Sequence, residues 1–199
     1  MSDKETLDAY AKAARAYADG FAKPEDTFHD PDFEAFVALL PPGGHVLDLG
    51  CGPGQWAARM VERGLVVTAT DASPEMAALA LQDFGIPVKV APFDALTDKG
   101  VFDGVWANFS LLHAPRADFP AHLQRVHQAL KPGGAFHIGM KLGASEGRDY
   151  LGRFYAYYGE RELCDLLVQA GFTIKGTRRG NGKGLAGGVE TFVIITAHA

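Results

Sequence analysis

The sequence has little cysteine, no long apolar run and no surplus of positive charge. Two of its 199 residues are cysteine, Cys51 and Cys164. They lie far apart without metal-ligand spacing, which excludes a zinc cluster and the disulfide framework of a small secreted domain. Isolated thiols fit a reducing compartment, and a cytoplasmic protein is expected. No apolar stretch approaches the ~18 residues that span a bilayer. The N-terminal MSDKETLDAYAKAARAYADG is polar and alanine-rich, without the apolar h-region of a secretory signal. The formal net charge is -5, so nothing global points to nucleic acid or to an anionic membrane. The most basic run, Lys175 to Lys183 with Arg178 and Arg179, reads as a solvated turn. His122 and His127 are five positions apart, off the i, i+4 metal spacing, and are expected on a helix surface. What remains, 47% hydrophobic and 22% charged, is the composition of an ordinary globular chain with a sizeable core.

Strand and helix signals alternate. Helical spacing covers LDAYAKAARAYADGF and then PDFEAFVALL, where Phe33, Phe36, Val37 and Leu40 share a face before Pro41, Pro42, Gly43 and Gly44 stop it. HVLDLG is the first strand, QWAARMVERG a helix ending at Gly64, and LVVTATD the second strand. SPEMAALALQDFG is a helix with Ser73 as N-cap, Pro74 at its first position and Gly85 past its end. IPVKVAP and FDGVWANFS are strands, and FPAHLQRVHQALKPGG is a helix stopped by Pro132 and two glycines. AFHIGMKLG is the fifth strand, GERELCDLLVQAGF a helix, and TIKGTRR and VETFVIITA close the chain. Strands separated by helices of this length predict βαβ units and a mainly parallel sheet. Only NGKGLAGG separates the last two strands, so they are expected as an antiparallel hairpin at one edge.

The segment VLDLGCGPGQ places Gly50, Gly52 and Gly54 directly after the first strand, where a doubly wound sheet holds its ligand. The spacing is G-x-G-x-G, not the G-x-G-x-x-G of dinucleotide binders. The second strand ends in Asp71, seventeen positions after Gly54, where a carboxylate can accept from both hydroxyls of a ribose. Asp48 precedes the first glycine. A pyrophosphate would be repelled by that carboxylate and an amino group attracted. This favours a nucleoside carrying an amino-acid tail.

VLDLGCGPG resembles the first motif of class I S-adenosylmethionine-dependent methyltransferases. TDASPEM, PFDALT, FDGVWANFSLLH and LKPGGAFHIG resemble the motifs that follow it, in the same order, over residues 46 to 140. The resemblance implies a Rossmann-like, seven-stranded, mainly parallel sheet with an antiparallel C-terminal strand and helices on both faces. It implies one domain over 1–199, with 1–42 a helical lid and 45–199 the core. The implied cofactor is S-adenosylmethionine, leaving as S-adenosylhomocysteine. By resemblance, Gly50, Cys51, Gly52 and Gly54 wrap its methionine part and Asp48 faces its amino group. Asp71 holds the ribose. Ala72 and Met76 reach the adenine, unless Met76 is plain core. Asp94 accepts from the adenine amino group, with Ala95 and Phe93 beside it. Asn108, Phe109 and Ser110 border the transferable methyl, and Tyr17 of the leading helix touches the sulfonium region.

His113 is the candidate catalytic residue, lining the methyl site or acting as a base. Tyr10, seven residues before Tyr17 and on the same helix face, joins His113, Arg153, Tyr155 and Tyr158 as candidate acceptor-binding residues. Clustered aromatics with arginines suit an aromatic or carboxylate-bearing acceptor. Asn108-Phe109-Ser110-Leu111 departs from the N-P-P-[YF] of enzymes that methylate base amino groups or glutamine amides. The expected activity is methyl transfer to a small molecule, by a monomer or homodimer working without nucleic acid, membrane or metal. The alternatives are a non-catalytic cofactor-binding protein and an NAD-dependent oxidoreductase.

Overall fold

In the computed structural model, which describes residues 3–21, 29–185 and 187–199, the run HVLDL forms strand β1 (His45–Leu49) at the centre of the sheet. The others are β2 (Val66–Asp71), β3 (Val88–Val90), β4 (Phe102–Asn108), β5 (Leu130–Lys141), β8 (Thr173–Lys183) and β9 (Val189–His198). They lie in the order β3-β2-β1-β4-β5-β9-β8. All neighbours pair in parallel except β9, which runs antiparallel to both β5 and β8. The chain winds outward from β1 in both directions, so a crevice opens at the carboxyl ends of β1 and β4.

Both faces of the sheet are covered, and β4 shows why. Val105 and Ala107 point into one core cluster with Leu123 and Val126 of helix α5 (Phe119–Ala129) and Leu163 and Leu167 of α6 (Glu160–Gln169). Trp106, between them, points into the other, with Phe33 and Phe36 of α2 (Asp30–Val37) and Met60 of α3 (Gln55–Glu62). This is the two-residue period of a strand buried on both sides. Helix α4 (Pro74–Phe84) is capped as expected. Ser73 Oγ accepts from Met76 N at 3.2 Å, Pro74 opens the helix, and Gly85 closes it in the left-handed conformation.

Helix α1 (Lys4–Phe21) packs Ala14 and Ala18 on Met76 and Leu79 of α4. Arg15 pairs with Asp83 at 2.8 Å, and Arg148 pairs with Asp3 and Glu5. These contacts hold α1 across the mouth of the crevice.

The structure departs from the sequence reading in four places. The segment after β5 carries a hairpin, β6 (Glu146–Arg148) paired with β7 (Phe154–Ala156). The run Lys175 to Lys183 is not a turn but most of edge strand β8, which extends through residue 183. Its two arginines are paired, Arg178 with Asp32 and Arg179 with Glu160. The expected loop NGKGLAGG is therefore half strand, and its Ala186 lies outside the described residues. Helix α5 ends at Ala129 because Leu130 already pairs with Phe102; the Lys131–Gly134 turn is a bulge before Ala135 pairs with Gly104. Among the described residues no helix is long and apolar enough to cross a membrane.

Candidate active site

The crevice holds a cavity of about 570 Å³. At its base the glycine loop turns sharply after β1. Gly50 N–H and Cys51 N–H both donate to Thr70 O, at 2.8 and 2.9 Å. Gly50 sits at φ 75°, and a Cβ there would lie 2.4 Å from Ser110 Cβ, so the first glycine is fixed by conformation and by space. Gly52 N–H donates to Asp71 Oδ2 and Ser73 N–H to Asp71 Oδ1, each at 2.8 Å. Asp71 thus anchors the loop to the start of α4, and each of its oxygens keeps a lone pair for the cavity.

Asp48 stands beneath the loop, 2% exposed. Its Oδ2 has no hydrogen-bond partner among the described residues. Burial, and then the neighbouring Asp71, push its carboxyl up to about 8. Burial pushes Asp71 upward too, against the backbone N–H groups of Ser73, Gly52 and Ala72. A buried acid with an unmet oxygen beside a second acid is a place built for a cationic donor.

Ala72, Met76, Phe93 and Asp94 line the next part of the wall, and Tyr17 and Cys51 share it. Asn108, Phe109 and Ser110 close it at the end of β4. Ser110 Oγ donates to Leu49 O at 2.5 Å. Phe109 is the one described non-glycine residue at positive φ, 56°. That conformation costs roughly 1–2 kcal/mol, and it turns the Phe109 ring against His29 and Phe192, at 5.4 Å from each.

The far half is aromatic and hydrogen-bonded. His113 Nδ1–H donates to Phe154 O at 2.6 Å, which leaves Nε2 to accept the Tyr10 O–H at 2.9 Å. Burial lowers His113 to about 4, so the imidazole is neutral at pH 7. Arg153 donates through Nε and Nη2 to the one oxygen Asp149 Oδ2 and reaches Tyr10 Oη at 3.4 Å. Its guanidinium lies over Tyr155, 5.1 Å from the ring centre. Phe154 N–H donates to Thr6 Oγ1 at 2.8 Å, so the hairpin grips α1 at two points. Lys141 pairs with Glu190 at 2.5 Å and stands 4.0 Å over the Tyr155 ring.

Of the residues singled out from sequence, three are off the cavity wall. Gly54, φ 88°, starts α3, and a Cβ there would meet Ala80 Cβ at 2.7 Å; it serves helix packing. Ala95 ends the short 3-10 turn and faces away. Tyr158 is packed on Phe119 under the Arg116 guanidinium. His122 corrects an expectation. It is 6% exposed, not on the surface, because the Phe93 turn packs over it at 5.7 Å. Sequence reasoning missed His29, Lys141, Glu190 and Phe192, all on the wall. Lys141 could have been found as the last residue of a strand whose carboxyl end faces the crevice. The others arrive from remote elements and carry no local signal.

A family profile described as a methyltransferase domain matches residues 46–134. An uncharacterized methyltransferase of Synechocystis sp. is 34% identical over 118 residues, 57% of this chain and 54% of its own length. The ubiquinone biosynthesis O-methyltransferase of Xanthomonas axonopodis pv. citri is 36% identical over 142 residues, 66% of this chain and 59% of its own. The chain thus spans a little over half the length of these curated relatives. Among solved structures, 1,6-didemethyltoxoflavin-N1-methyltransferase of Burkholderia thailandensis, with bound 1,6-didemethyltoxoflavin and S-adenosylhomocysteine, superposes with a TM-score of 0.79. It is 27% identical, covering 98% of this chain and 87% of that one.

Proposed function

We propose that the chain is a class I S-adenosylmethionine-dependent methyltransferase, as the profile and relatives it resembles support, and that it methylates a small-molecule acceptor. The observation that carries the reading is the unmet Asp48 oxygen beneath the glycine loop. A pyrophosphate there would add negative charge beside two acids. An α-ammonium group satisfies the oxygen and draws the proton off Asp48.

The chain's residues fit the cofactor in order. Asp48 with Gly50, Cys51 and Gly52 holds the amino-acid part, Gly54 supporting the turn from behind. The free lone pairs of Asp71 take the ribose hydroxyls. Ala72, Met76, Phe93 and Asp94 border the adenine. Tyr17, Asn108, Phe109 and Ser110 surround the reacting end. Bound S-adenosylmethionine supplies a methyl carbon activated by a positively charged sulfur. The protein then has to position the acceptor in line and keep water out. Helix α1, latched through Tyr10 to His113, closes the site as a lid, while α2 packs with the core in one domain.

Two relatives support a small acceptor, one named for ubiquinone biosynthesis and one holding 1,6-didemethyltoxoflavin. The wall residues Tyr155, Phe109 and Phe192, with the cations of Arg153 and Lys141, suit a planar ring. The reading places the protein in the cytoplasm as a monomer or homodimer, acting without nucleic acid or membrane.

Thermal melting with S-adenosylhomocysteine, S-adenosylmethionine and NADH tests it. At a hundred times Kd a ligand adds about 2.7 kcal/mol, a rise of roughly 5–10 °C for a chain this size. The adenosyl compounds should raise the melting temperature and NADH should not. A rise with NADH alone would sink the proposal.

A further inference from the structure

Behind the end of β4, outside the cavity, lies a histidine that the reading above does not use. His137 of β5 is 0% exposed and stacks on Trp106 at 3.5 Å between ring centres, with 13° between the planes. Its Nε2 is 3.1 Å from Asn108 Oδ1. Its Nδ1 is buried without a partner among the described residues. That points the proton to Nε2. Were it on Nδ1, the core would hold an orphaned N–H donor, rarer in folded proteins than an unmet acceptor. With the proton on Nε2, the imidazole donates to Asn108, and only the amide oxygen can accept it. Burial lowers the ring to about 3, so it stays a neutral single donor.

The consequence falls on the cavity side. Asn108 lines the wall, in register with Gly139 of β5. A Cβ at Gly139 would stand 2.8 Å from Asn108 Oδ1, so the glycine makes room for the amide oxygen to turn inward. With its oxygen tied back, the amide is left with its N–H2 donors to offer the cavity that Asn108 lines. Lys141, two residues past Gly139 and on the same strand face, adds an ammonium to the same cavity. Glu190, the carboxylate beside it, is already bound to that ammonium. At the acceptor end Asn108 and Lys141 therefore offer donors.

We propose that His137 is a positioning residue that fixes the Asn108 amide with its N–H2 toward the acceptor, and that the acceptor reacts through a lone-pair-bearing atom already stripped of its proton, a phenolate or enolate oxygen or a ring-nitrogen anion. An amine would bring N–H donors against N–H donors. The acceptor's lone pair forms the new bond to the methyl carbon while the carbon–sulfur pair passes to sulfur; no proton remains to be removed. This agrees with His113, neutral and engaged at both nitrogens, holding the lid and not serving as base. The inference rests on the methyltransferase reading.

Its test has two arms on the full chain. The first is a long-range 1H–15N spectrum of the 15N-labelled protein with and without S-adenosylhomocysteine. The Nε2–H tautomer of His137 is expected; the Nδ1–H tautomer would overturn the proposal whatever the acceptor. The second compares methylation of 4-nitrocatechol, whose nitro group lets a hydroxyl ionise near neutral pH, and 4-nitro-1,2-phenylenediamine by mass spectrometry. The hydroxyl compound should be the one methylated, and preference for the diamine would overturn the proposal. If neither reacts, the spectrum decides. Asn108→Asp, which presents only acceptors, should cut kcat for a reacting phenol by about 100-fold. His137→Phe keeps the stack and removes the donor; it should cost about 10- to 100-fold, while His137→Gln, which can still donate, recovers most of it. S-adenosylhomocysteine affinity of the His137 variants stays unchanged, and its absence in the wild type would instead indict the cofactor reading.

Discussion

Asp48 is held in a state that water would not allow. Its carboxyl is pushed up to about 8 by burial and by Asp71, above the ordinary carboxylate range. A group whose folded value lies above its unfolded value adds stability that is complete below about 4 and lost as pH rises through 8. Asp48→Asn removes that loss. The ligand-free variant should melt above the wild type at pH 8.5 and match it more closely at pH 5, by calorimetry. The same change removes a charged partner for the ligand's ammonium, and should weaken S-adenosylhomocysteine by about 10- to 100-fold. His113 has the opposite sign. Its folded value, about 4, lies below the unfolded 6.5. The stability it contributes is complete above 6.5 and lost as pH falls through 4. His113→Asn should flatten the acid limb of the stability profile over that window; an unchanged limb would place the titration elsewhere. At this scale Asp48, Asp71, Gly50 and Gly52 were legible in sequence because a strand end, a loop and an acid are neighbours along the chain. The state of Asp48 was not, since it depends on burial and on a residue 23 positions away.

Helix α1 is tied down by few bonds. Tyr10 meets His113, Thr6 meets the Phe154 N–H, and Asp3 meets Arg148. Losing the Tyr10 hydroxyl leaves a buried imidazole nitrogen unpaired, at about 1–3 kcal/mol. Tyr10→Phe should therefore speed amide exchange over residues 4–21 and leave the central strands protected; equal protection in both would contradict a latch role. The seven strands of the sheet and the six helices were readable because each carries its own period and its own stop signals. The β6–β7 hairpin was not. Glu146, Gly147 and Arg148 are exposed, so that strand has no apolar alternation to read. Its shape comes from contact with α1 and from Arg116, which binds both Glu146 and Tyr157 O. Edge strand β8 was underestimated for a like reason. Gly176, Gly180 and Gly182 interrupt its pattern, yet Gly180 lets the Phe192 ring lie across the strand where a Cβ would meet it at 2.3 Å.

The whole molecule sets two chemical halves face to face. One half gathers acids under a glycine loop; the other gathers N–H and ammonium donors with aromatic faces. The net charge of -5 gives the molecule an overall sign that does not draw polyanions. The most direct measurement is titration calorimetry of S-adenosylhomocysteine at pH 7 in two buffers of different ionisation enthalpy. The account predicts binding with release of about one proton, since Asp48 must ionise to meet the ammonium, and no release in Asp48→Asn. Binding with no proton released, or no binding while NADH binds, would contradict it.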